Sequence, residues 1–162
     1  MSCHLAATLK SLRRAILVVA YGSPLHSHDA VGQQVVTEVA AWGMPNMKAI
    51  AVHHLTPDLA EPLSMADLAI FVDASTSAAQ EIQVRPIGLD NSAIATGHGC
   101  EPQVLLAKTQ TVYGYHPQSW WVMVPGGNVE PGEVHSPVAE QCVETVLQEI
   151  EQLIHQPGQT YA

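Results

Sequence analysis

Apolar residues fall in short blocks along the chain, separated by polar stretches rich in glycine and proline. The first block, Ala15-Ile16-Leu17-Val18-Val19-Ala20, is continuous rather than alternating. A strand with one face in water alternates, so an unbroken run predicts a strand covered on both faces. Behind it, Val31, Val35 and Val39 recur at the spacing of one helical face, which predicts a helix over 29–42 stopped by Gly43. Residues 48–54 (KAIAVHH) predict a second strand, and Thr56-Pro57 offers an N-cap and a first-turn proline for a short helix through Leu63. Residues 68–73 (LAIFVD) predict a third buried strand. Residues 81–86 alternate, as an edge strand does, and 87–97 read as loop.

A further helix opens at Glu101-Pro102 and ends at Tyr113-Gly114. Residues 119–124 (SWWVMV) predict a last strand, followed by a loop over 125–135 with three glycines and two prolines. The C-terminal helix starts at Ser136-Pro137, and Val143, Val146, Leu147, Ile150, Leu153 and Ile154 draw its apolar face. Strands alternating with helices at these lengths predict an α/β fold: a three-layer α/β/α sandwich with a mostly parallel, twisted sheet of about five strands. We expect an N-terminal extension over 1–14, a single α/β domain over 15–156 and a tail over 157–162.

With 162 residues, 47% of them hydrophobic, the chain can bury a core without metal or disulfide staples. Fifteen acidic against six basic residues leave a net charge of -9, which repels phosphate backbones and argues against nucleic acid as a partner. No segment reaches the roughly 18 consecutive apolar residues of a membrane span. Cys3, Cys100 and Cys142 are odd in number and lack a C-x-x-C pair, which suits a reducing cytoplasm. Arg13-Arg14 ahead of an apolar run resembles a twin-arginine export signal, but loop residues follow that run at once, so a cytoplasmic protein is expected.

In an open α/β sheet, ligands bind at the carboxyl ends of the strands. Three positions follow from that rule: Asp29, in the loop and helix start behind the first strand; Asp73, closing the third; and His98, in Thr96-Gly97-His98-Gly99 ahead of a helix. Two carboxylates and an imidazole converging there make an open three-ligand site for a borderline divalent metal such as zinc or nickel. Each residue has a plainer role as well. Asp29 fits a helix N-cap, Asp73 a cap on the Ser75-Thr76 turn, and His98 an ordinary loop position. For Asp73 the plain role is the harder to hold, because burying an unpaired charge is costly.

His26, His28, His53 and His54 add possible ligands near the same rim. Other chemistries lack their motifs: no G-x-G-x-x-G, no G-x-x-x-x-G-K-[ST] and no G-x-S-x-G occurs. Cys100 stands two residues from His98, a spacing at which side chains on a loop rarely face each other.

Several stretches together resemble the [NiFe]-hydrogenase maturation endopeptidases, which remove a C-terminal extension from the hydrogenase large subunit once nickel is inserted. They are Gly22-Ser23-Pro24-Leu25, His28-Asp29-Ala30-Val31-Gly32, Leu55-Thr56-Pro57-Asp58-Leu59-Ala60-Glu61-Pro62-Leu63 and Ile70-Phe71-Val72-Asp73-Ala74. Beyond them come His98 with Pro102 and Leu105-Leu106, Tyr113-Gly114, Val124-Pro125-Gly126, Pro131-Gly132-Glu133 and Ser136-Pro137. The order and spacing of these pieces carry the resemblance.

The resemblance implies that Asp29, Asp73 and His98 are the catalytic, metal-reading residues. It implies that the nickel is supplied by the substrate, with no metal held permanently. It also implies as partner a hydrogenase large-subunit precursor, docked transiently on what we expect to be a monomer. Gly22-Ser23 departs from the family's usual Gly-Asn, His28-Asp29 from an acidic pair and Ala30 from glycine. Because His28 replaces an acid, a second reading stands beside the first: a metal-reading chaperone or binding module of the same fold that does not cut.

Overall fold

The computed structural model describes residues 14–22, 29–73, 81–89, 101–124 and 137–155, and for 29, 30 and 137–139 the backbone alone. The expected extension, apart from Arg14, and the expected tail lie outside these residues. Five strands form one sheet: β1 (Ile16–Tyr21), β2 (Met47–Val52), β3 (Leu68–Asp73), β4 (Gln83–Ile87) and β5 (Gln118–Met123), in the order β2-β1-β3-β5-β4. All pairings are parallel except that of β4 with β5.

The continuous apolar runs take the central places. In β3 every residue is buried, and in β1 all but Tyr21 are, whereas at the edges β2 is mostly half-buried and β4 mostly exposed. Pro86 sits within edge strand β4, where a residue without an N–H is tolerated.

Two pairs of helices cover the sheet. On one face lie α1 (Asp29–Ala41) and α4 (Pro137–His155), in contact with each other. Their Val31, Val35, Val39, Val143, Val146, Ile150 and Ile154 pack on Ile16, Val18, Ala20, Leu68, Ile70, Val72 and Val122. The other face carries α2 (Ala60–Ser64) and α3 (Pro102–Tyr113), whose Leu63, Leu105 and Leu106 pack on Leu17, Val19 and Phe71. Each fully buried side chain of this size stabilises the fold by about 1.5–3 kcal/mol relative to exposure. The result is the expected α/β/α sandwich.

Local differences from the sequence reading have physical causes. β2 stops at Val52, so His53 and His54 lie exposed beyond the strand. The short helix begins as a 3-10 turn over Pro57–Leu59, and Thr56 makes no side-chain cap hydrogen bond, because the Leu59 N–H that such a cap would take donates to the Thr56 carbonyl at 3.1 Å. Gly43 and Gly114 follow α1 and α3 with φ of 66° and 71°, the left-handed geometry that glycine adopts without strain. Gly32 has a different reason: a Cβ there would stand 3.3 Å from the Ala20 Cβ, so α1 lies tight against β1.

At the amino edge of the sheet the chain is stapled by hydrogen bonds. Ala15 N–H donates to Asp67 Oδ2 at 2.9 Å, and the Tyr115 hydroxyl donates to the Ala66 carbonyl at 2.9 Å. Burial, then the Asp67 charge, holds the Tyr115 phenol above its ordinary range.

Candidate active site

From β1 the chain crosses to β2 on one side, and β3, on the other side of β1, leads on toward β4 and β5. Adjacent strands whose connections leave in opposite directions open a crevice at their carboxyl ends, where this class of sheet binds ligands. Val52, Tyr21, Asp73 and Met123 are register partners that form one row across this edge. Asp73 is only 5% exposed and lies on the α2/α3 face, alternating with Ile70 and Val72, which face α1 and α4.

Tyr21 is a partner of Asp73: its hydroxyl donates to Asp73 Oδ2 at 3.1 Å. The phenol is held far above the ordinary tyrosine range, by burial first, then by the Asp73 charge and this hydrogen bond, with Glu101 adding to the effect. It therefore keeps its proton and stays a donor. The Trp121 indole packs against the same cluster as Tyr21, and its buried Nε1 has no hydrogen-bond partner among the described residues. Glu101 immediately precedes α3 and is exposed, and its influence on Tyr21 brings a second carboxylate into electrostatic reach of the same edge.

The sequence-derived residues fare differently. Asp73 is placed in full, at the carboxyl edge and buried. Asp29 is the first residue of α1, described by its backbone alone. His98, His26, His28 and Cys100 lie outside the described residues, as do Ser75 and Thr76. His53 and His54 follow β2, whose axis lies two strand spacings, about 10 Å, from that of β3. Among the described residues, no three metal-capable side chains cluster. Cys142, within α4, is half-buried, and burial pushes its thiol up, away from a reactive thiolate.

Sequence reasoning missed Tyr21 and Glu101. A signal for Tyr21 existed: ILVVAY and LAIFVD are runs of equal length, and parallel pairing in step brings their last residues side by side.

The fold is shared with the crystal structure of a [NiFe] hydrogenase maturation protease, HycI, from Thermococcus kodakarensis KOD1. The likeness has a TM-score of 0.64 at 16% sequence identity and covers 94% of this chain and 99% of that one. At that identity the likeness establishes the architecture. No protein-family model matches the sequence, and no curated protein matches it.

Proposed function

We propose that the chain is an endopeptidase of the [NiFe]-hydrogenase maturation family, which removes the C-terminal extension of a large-subunit precursor after nickel insertion. The observation that carries this reading is the buried Asp73 carboxylate at the crevice between β1 and β3, held by Tyr21. It stands where the sequence resemblance puts the second acidic ligand, on a fold shared with a protein described as such a protease. Asp29, at the start of α1, takes the place of the first acid. His98, which lies outside the described residues, takes the place of the histidine in this reading.

Nickel is part of the substrate in this reading. Two carboxylate oxygens and an imidazole nitrogen suit a borderline divalent ion, and the charge of the edge favours it. Asp29, Asp73 and His98 anchor a precursor through the ion it already carries, which sets the bond to be cut beside the crevice. Selectivity follows, because a precursor without nickel is not anchored. The protein acts on this transient partner in the cytoplasm, as a monomer.

The test is incubation of the purified protein with nickel-loaded and nickel-free precursor, read by mass. Loss of the tail from the loaded form alone is expected. Equal trimming of both removes the metal-reading role, and tight binding without any trimming favours the non-cleaving chaperone.

A further inference from the structure

Tyr21 closes a strand that is otherwise aliphatic, and its side chain packs against the Leu17, Val19 and Phe71 cluster. For packing alone a phenylalanine fills the same volume. The hydroxyl therefore calls for its own reason, and what it does is donate to Asp73 Oδ2 at 3.1 Å. A carboxylate turns readily about its last torsion, whereas a tyrosine ring wedged into a core does not. A donor on the fixed ring thus sets the orientation of the mobile group.

We propose that Tyr21 is a positioning residue, whose hydroxyl holds the Asp73 carboxylate in the orientation that meets the ion carried by the substrate. This rests on the function proposed above, in which Asp73 is a ligand to that ion. Removing a hydrogen-bond partner that orients a metal ligand typically costs about 10- to 100-fold in affinity or activity. A purely structural hydroxyl behaves otherwise: its loss lowers stability and leaves the properties of the folded protein as they were.

The experiment compares the full-length wild type with Tyr21→Phe, Asp73→Asn and the double variant. Three quantities are read: the rate of precursor trimming, the dissociation constants for nickel-loaded and nickel-free precursor, and the thermal unfolding midpoint. For Tyr21→Phe we expect cooperative unfolding, trimming slowed about tenfold or more, and a preference for the loaded precursor reduced by a similar factor, with affinity for the nickel-free form unchanged. In the Asp73→Asn background, Tyr21→Phe then changes neither rate nor preference.

Wild-type rate and preference in Tyr21→Phe overturn the proposal and leave the function standing. Loss of cooperative folding, or a full extra loss on top of Asp73→Asn, also overturns it, since the hydroxyl is then structural or acts elsewhere. A wild type that neither trims nor prefers the loaded precursor overturns the function itself, and the role of Tyr21 with it.

Discussion

The two faces of the sheet are built from the same strands and differ in what they bury. Beneath α1 and α4, the buried cluster is valine, isoleucine, leucine and alanine throughout. Beneath α2 and α3, the same strands turn inward Asp73 and Ser119, with Tyr21 and Trp121 partly buried beside them, and α3 contributes Thr109. Thr109 and Ser119 are accounted for locally, each donating to a carbonyl of its own segment at 2.8 and 2.9 Å. Asp73 is different in kind, because its hydroxyl donor comes from another strand 52 residues away. One face holds the fold together, and the other carries a charge that packing alone does not require. A site is thereby marked by the face on which polarity is tolerated as well as by the edge.

Substitutions on either side of one strand separate the two roles. The largest effect is expected from Asp73→Asn, which keeps the volume and removes the charge: trimming of a nickel-loaded precursor falls to background in a mass assay, with the far-ultraviolet spectrum unchanged. Ile70→Ala, on the same strand but facing α1 and α4, is expected to do the reverse. It removes a fully buried side chain, costs about 2–5 kcal/mol in denaturant unfolding, and leaves the rate per folded molecule as in the wild type. If both substitutions damage rate and stability alike, the division between the faces is lost.

A finer distinction comes from alkaline unfolding. Unfolded, Tyr21 ionises near the ordinary value of 10.0, while in the folded protein burial and Asp73 hold the proton on to higher pH. The raised folded pKa adds stability that is complete below pH 10 and declines as pH rises above it, because the unfolded chain releases its proton first. Wild type is therefore expected to lose stability above pH 10 more steeply than Tyr21→Phe, measured as unfolding midpoints across that range. Parallel curves would show that the phenol is not held protonated by the fold. The smallest effect belongs to Gly114→Ala, which forces a side chain into φ 71° after α3 and costs about 1–2 kcal/mol, read from the thermal midpoint with trimming unaltered.

Much of the architecture was legible because burial leaves a trace in a single segment. LAIFVD reads as a strand covered on both faces, and β3 spans those residues. The apolar stripe of α4 likewise appears at helical spacing, and its members pack on the sheet. What escaped were relations between segments. Neither the antiparallel course of β4 nor the register that sets Tyr21 beside Asp73 is encoded in periodicity within one strand. Glu101 was legible as the residue ahead of a helix, but its charge reaches the site only through the placement of α3 against the sheet. Asp73 was accessible to reasoning because a charge at the end of a buried run is costly without partners. Asp29 and His98 came from the strand-end rule and the resemblance, which fix positions along the chain and not the directions of side chains.

The most direct measurement is a crystal structure of the protein soaked with Ni²⁺, with anomalous data collected at the nickel edge. The expected result is one peak at the carboxyl edge, within about 2.3 Å of carboxylate oxygens of Asp29 and Asp73 and a ring nitrogen of His98. Side chains of these three residues turned apart, with no ion shared between them, would contradict the proposed site.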